Sequence, residues 1–143
     1  MPSYQDQLAK FLPDLILPLC IWREARGESL EAKRGVAWAI RNRASDTRHR
    51  WPSTLQGVIL QPWQFSSFNA TDPNSAKFPG LEDAAWHESI QAAESTLPDN
   101  IGGAQMYHSY TDAQQALWPR WAKMPAAYPQ TAHIGAFRFY RQL

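Results

Sequence analysis

The chain has 143 residues, a formal net charge of +1 and one cysteine, Cys20. That length suits a single domain, expected to span residues 1–143, with a core that needs no staples. The lone cysteine excludes a disulfide framework and a cysteine-based zinc site, and 44% hydrophobic with 19% charged residues excludes a disordered or fibrous chain.

Residues 4–12 predict a short helix ended by Pro13, and residues 14–26 an apolar helix stopped at Gly27. Leu15 to Trp22, interrupted by Pro18, is the longest apolar stretch and falls far short of the roughly 20 residues that span a bilayer, so no integral membrane segment is expected. Met1 to Lys10 lacks the basic-then-apolar order of a signal peptide. The expectation is cytoplasmic synthesis without a signal peptide; a target outside the cell would require release by another agent. Cys20 reads as a small core residue.

At the end of the apolar helix stands Glu24-Ala-Arg-Gly-Glu28. Carboxylates in such a place are costly unless paired or put to chemical use. Two readings stay open on the residues alone. One is a structural Glu–Arg pair at the helix end. The other is a carboxyl kept protonated by apolar walls, the state a general acid needs.

Ser29 predicts the cap of a second helix whose apolar positions Leu30, Val36, Ala37, Ile40 and Ala44 keep helical spacing. Ser53-Thr-Leu-Gln56 has the capping-box pattern and opens a short helix to Leu60. Residues 62–81, dense in Pro, Ser, Asn, Asp and Gly, predict a long irregular loop, a shape that usually carries function. Residues 82–97 predict a helix with Ala85, Trp86, Ile90, Ala93 and Leu97 inward. Thr111-Asp-Ala-Gln114 repeats the capping box before a helix stopped by Pro119. The tail Ile134 to Tyr140 predicts a strand, with Met106 to Tyr110 as its partner. The fold class expected is α+β, mainly α, with a small β element.

Charge is unevenly placed. Residues 23–50 hold eight basic against four acidic residues, and residues 51–100 hold only Lys77 against six acids. A basic face beside an acidic one suits an anionic partner that is not purely phosphate. Seven tryptophans, five tyrosines and six phenylalanines exceed what a core of this size needs. Trp51, Trp63, Trp118 and Trp121 lie near prolines, so they are expected in loops and helix ends that line a groove, where a sugar ring is a natural ligand. Trp22, Trp38 and Trp86 are expected inside.

Trp22-Arg-Glu-Ala-Arg-Gly-Glu28 followed by Gly35-Val-Ala-Trp-Ala-Ile-Arg-Asn-Arg43 resembles the opening of the spore cortex-lytic type cell-wall hydrolases. Further likenesses fall in the same order. They are Trp51-Pro52 with Gly57-Val-Ile59, the Gln64-Phe-Ser66 loop with Phe68-Asn69, the Ala104 to His108 element, and the close at Ile134-Gly135 and Phe139-Tyr140. The likeness spans about residues 15–140. Two departures stand out: Phe137 where the family often has His, and Ser109 where it often has Asn.

The resemblance implies a lysozyme-like fold that cleaves the glycan strand of peptidoglycan, as a lytic transglycosylase or a muramidase, without metal or cofactor. Glu24 would be the general acid, with Arg26 and Glu28 pairing or fixing the turn. Glu28 and Asp72 are the candidates for the second carboxylate that a hydrolase uses. Gln64, Phe65, Ser66 and Asn69 of the loop, with Tyr107 and His108, form the expected substrate-binding set. The partner expected is the glycan strand, met by a monomer; an unadorned catalytic unit of this kind fits a phage endolysin. Three rivals are weaker. A zinc amidase lacks the second ligand after His87-Glu88, because position 91 is Gln. A silent sugar-binding module would not need Glu24, and no recognition-motif spacing supports nucleic acid binding.

Overall fold

A computed structural model describes the backbone of residues 1, 4–62 and 64–143, with side chains for residues 1, 15–62 and 64–143. Trp63, expected in a loop, lies outside them. The described residues form four α-helices, α1 (Tyr4–Ala25), α2 (Leu30–Ala44), α3 (Leu55–Leu60) and α4 (Ala84–Glu94), and three strands, β1 (Met106–His108), β2 (Gln130–Ile134) and β3 (Phe137–Tyr140). The mainly helical α+β class expected from the sequence holds.

The predicted break at Pro13 does not occur: α1 runs through both Pro13 and Pro18. A helix-interior proline costs about 3 kcal/mol. Ile16, Leu17 and Ile21 are all at most 5% exposed, and each such side chain contributes about 1.5–3 kcal/mol on burial. Packing of α1 against α2, α3 and α4 therefore offsets the lost backbone bond. Cys20 is buried in this same face, as expected.

α2 is the central element. The Ser29 hydroxyl accepts from the Ala32 amide at 3.2 Å and starts the helix where the sequence places it. Its buried face comprises Ala32, Gly35, Val36, Ala39, Ile40 and Arg43. Gly35 lets the helix lie directly on the sheet, since a Cβ there would stand 2.7 Å from Cζ of Phe139. The α3 cap is Thr54 rather than Ser53; its side chain accepts from the Gly57 amide at 3.0 Å.

α4 ends at Glu94, three residues short of the predicted end, and Leu97 is exposed. Its fully buried positions are Ser89 and Ala92, one helical turn apart, with Ala85, Trp86, Ile90 and Ala93 half-buried beside them. The Ser89 hydroxyl returns its proton to the Ala85 carbonyl at 2.7 Å, which satisfies it inside the core. Of the tryptophans expected inside, Trp22 is buried, whereas Trp38 and Trp86 are half-buried.

The tail strand is β3, Phe137–Tyr140, and it pairs with β1 as expected, while Ile134 ends a further strand, β2. β2 and β3 are antiparallel across a turn at Gly135, whose φ of 57° is the left-handed conformation that glycine adopts without strain. β3 is central in the order β1-β3-β2, with Tyr107 opposite Phe139 and His108 opposite Arg138. The Thr111 segment opens as expected, with Gln114 accepting from the Thr111 amide at 2.9 Å. It then forms two 3₁₀ turns, Asp112–Leu117 and Arg120–Lys123.

Gly35→Val should lower stability by about 1–3 kcal/mol through overpacking against Phe139, read as the urea midpoint. Gly27→Ala, where an added carbon meets nothing within 4 Å, should leave that midpoint unchanged.

Candidate active site

The C-terminal turn of α1 ends in solvent while its body is buried, so successive residues there face different surroundings. Trp22 points inward, and its indole N–H donates to Asp83 at 3.0 Å, the residue that also caps α4. The chain then turns, and Lys33, fully buried, holds the turn from below. Its ammonium donates to the carbonyls of Arg26 and Glu28 and pairs with Glu88 at 3.0 Å. Two carbonyls of the turn that follows α1 are thereby satisfied by a side chain from the next helix.

Above this turn lies an open cleft of about 390 Å³, lined by Arg23 through Glu28 on one side and by Ser109, Ala136 and Phe137 on the other. Both departures from the family pattern, Ser109 and Phe137, face Glu24 across it. Glu24 is half-buried, and its Oε1 accepts a hydrogen bond of 2.6 Å from the Tyr107 hydroxyl. Phe137 packs edge-on against the Tyr107 ring at 5.3 Å, so the phenol is held between apolar surface and the carboxyl.

Burial raises the Glu24 pKa above the usual carboxylate range. The Tyr107 hydrogen bond and the positive charge of Arg43 pull it back, and the charge of Asp72 adds to the rise. Burial likewise pushes the Tyr107 phenol well above its ordinary value, so it acts as a fixed donor. Arg43 is 7% exposed. Its Nε donates to the Gln105 carbonyl at 2.6 Å, and its guanidinium lies 5.3 Å from the Phe65 ring centroid and 5.6 Å from that of Trp51. Sequence reasoning gave Arg43 no role, although its spacing from Val36 and Ile40 puts it on the buried face of α2.

The other sequence-predicted residues divide. Glu28 shares the cleft, and its Oε2 accepts from the Ala136 amide at 3.4 Å, where it lies against Gly135. Arg26 does not pair with it: the Arg26 guanidinium stacks on Trp22 at 4.4 Å, and Glu28 holds the β2–β3 turn instead. Among the described residues no ion pair forms at Glu24 or Glu28, which removes the structural Glu–Arg pair. Asp72 caps the 3₁₀ turn Pro73–Ala76, with Oδ1 accepting from the Asn74 amide at 2.7 Å.

In the loop, Gln64 and Ser66 are exposed and Asn69 is half-buried, while Phe65 is turned into the core. His108 is also buried. Its Nδ1 accepts from the Tyr110 amide at 3.1 Å, so the ring proton sits on Nε2 and is donated to the Tyr140 hydroxyl at 2.9 Å. Phe65 and His108 therefore stand behind the cleft rather than in it. Trp51, Trp118 and Trp121, expected to line a groove, are half-buried and none of them lines the Glu24 cleft; Trp118 lines a separate open pocket with Gln115 and Lys123. Trp118 and Trp121 pack on His108 and Tyr140 at 4.8 and 5.1 Å, and Trp51 lies between Arg43 and Arg50.

A family model described as Cell Wall Hydrolase matches residues 27–140, starting three residues after Glu24. Two solved structures share the fold. The catalytic domain of germination-specific lytic transglycosylase SleB from Bacillus anthracis superposes with a TM-score of 0.67 at 23% identity, over 99% of this chain and 100% of that one. The catalytic domain of Bacillus cereus SleB gives 0.65 at 23% identity, over 90% of this chain and 89% of that one. No curated protein sequence matches.

Removing the Tyr107 hydroxyl removes the hydrogen bond that stabilises ionised Glu24, so Tyr107→Phe should raise the Glu24 pKa further, read by ¹³C titration of its carboxyl. A native pKa above the unfolded value means that ionising Glu24 destabilises the fold. That cost is absent below about pH 4 and grows as pH rises toward the native value. Glu24→Gln should therefore be more stable than wild type at pH 7, with the gap closing as the pH falls to about 4.

Proposed function

Because this chain belongs to the cell wall hydrolase family, we propose that it cleaves the glycan strand of peptidoglycan between N-acetylmuramic acid and N-acetylglucosamine, with Glu24 as general acid. The observation that carries this reading is the Glu24 carboxyl: it opens onto the cleft, has its pKa raised by burial, and is fixed in direction by the 2.6 Å bond from Tyr107. Glycosidic cleavage needs such a proton at the departing oxygen as positive charge develops at the anomeric carbon. Glu24 gives up its proton, the C–O bond breaks, and the leaving sugar departs with a new hydroxyl. The carboxylate that remains is stabilised by the Tyr107 hydroxyl and by the charge of Arg43.

Two fates are open to the oxocarbenium-like centre. Water can add, or the 6-hydroxyl of the muramic sugar can close on it while Glu24 takes that proton back. We favour the second. A hydrolase places a second carboxylate to activate water or trap the intermediate. Here Glu28 is drawn to the Ala136 amide, and Asp72 caps a 3₁₀ turn. The Bacillus anthracis SleB domain, named a lytic transglycosylase, has the same fold.

Glu24→Gln should cost at least about 10²-fold in rate on purified peptidoglycan, followed as turbidity loss, with circular dichroism unchanged. Wild-type lysis by that variant would remove the central claim. Mass spectrometry of the muropeptides should show 1,6-anhydromuramic ends, one water lighter than reducing ends. Only reducing ends would establish hydrolysis, and Glu28→Gln and Asp72→Asn would then identify the water-activating group. Activity should persist in EDTA; loss on chelation with recovery on zinc would favour an amidase.

A further inference from the structure

Arg23, directly before Glu24, lines the same cleft, and four of its five N–H groups donate to backbone carbonyls. Nη1 donates to the Ser67 carbonyl at 3.1 Å, Nη2 to those of Ser75 and Lys77 at 3.0 Å each, and Nε to Lys77 again at 3.3 Å. These carbonyls belong to the stretch between α3 and α4, whose described regular structure is two short 3₁₀ turns, Ser66–Phe68 and Pro73–Ala76. One side chain from a rigid helix thus ties together three points of a segment whose own backbone bonds are short-range turns. Phe68 and Phe78 pack on the same guanidinium, with centroids 4.7 and 5.1 Å from its carbon.

A lone exposed ring needs no explanation. Phe78 differs because it is 68% exposed and yet fixed, one residue beyond a carbonyl that Arg23 holds and against an arginine that itself lines the Glu24 cleft. Four of the arginine's five N–H groups are taken by backbone carbonyls, so it serves chiefly as a mount. A fixed aromatic face continuous with a polar cleft suits a pyranose, which is apolar on its face and polar on its rim.

We infer that the Arg23-held segment Ser66–Phe78 is a sugar subsite beside the Glu24 cleft, with Phe78 as the stacking platform for an N-acetylhexosamine ring and Arg23 as the residue that positions it. The inference rests on the glycan-cleavage reading and adds to it where along the strand the enzyme grips. It also places the grip away from Trp118 and Trp121, which pack on His108 and Tyr140.

The test uses the full chain and soluble, peptide-free strands of alternating N-acetylglucosamine and N-acetylmuramic acid. Phe78→Ala should raise KM about tenfold with kcat within about twofold of wild type. Phe78→Tyr should keep the wild-type KM, and Leu81→Ala, at a more exposed neighbour, should change neither constant. Arg23→Gln should raise KM as Phe78→Ala does and also lose amide-exchange protection across residues 66–78. Cleavage with an unchanged KM in Phe78→Ala overturns the subsite and leaves the cleavage reading standing. Failure of the wild-type chain to bind or cleave the strands overturns both. A raised KM in Phe78→Ala together with full activity in Glu24→Gln keeps the subsite and removes the role of Glu24.

Discussion

A carboxyl taken out of water needs a partner or holds its proton more tightly, and at Glu24 Tyr107 donates to the carboxyl while burial raises its pKa. Its position requires α1 to carry a buried face to its last turn and stop there, which Lys33 secures by binding the carbonyls beyond it. It requires β1 to bring the Tyr107 hydroxyl within 2.6 Å. It also requires β3 to begin with Phe137, whose ring keeps the far side of that phenol dry. The close approach of α2 to the sheet at Gly35 makes these demands compatible, because it sets helix and strands near enough to share one carboxyl.

The arginines explain how such a site is enclosed without being neutralised. The basic excess of residues 23–50 suggests a face for an anionic partner, but in the fold most of it is engaged internally. Arg23 and Arg43 donate to main-chain carbonyls, Arg41 to that of Ala93, Arg50 pairs with Asp46, and Arg26 lies on Trp22. Carbonyls and rings hold a guanidinium while leaving its charge in place, and Nη1 of Arg43 is buried without a hydrogen-bond partner among the described residues. Arg43 can therefore favour the ionised form of Glu24 without an ion pair at Glu24.

Several elements were legible along the chain because their causes are local. Ser29 caps α2 where a hydroxyl three residues before an amide must, and of the periodic apolar positions Val36, Ala37 and Ile40 are buried, with Leu30 and Ala44 half-buried at the ends. The expectations that failed did so where distant packing outweighed a local rule. Pro13 is a breaker by itself, yet α1 continues because its apolar face is covered by three other helices. Leu97 has helical spacing but lies beyond the end of α4. The tail has strand composition and forms β3 as expected; only the left-handed turn at Gly135 reveals that it is also one arm of a hairpin.

The sequence by itself determined the helical character, the small β element and the placing of Glu24 at the end of an apolar helix, since periodicity, caps and composition act over a few residues. Its ordered motifs also pointed to the cell-wall hydrolases, the family whose model matches residues 27–140. Tertiary structure alone decided which groups meet that carboxyl. Tyr107 is 83 positions away along the chain, and the Ala136 amide is 108 positions from Glu28. It likewise decided that Phe65 and His108 face inward while Phe78 is left exposed. The physical reason is the same in each case: a side chain's surroundings depend on which surfaces pack together, and spacing along one element does not record what comes to cover it.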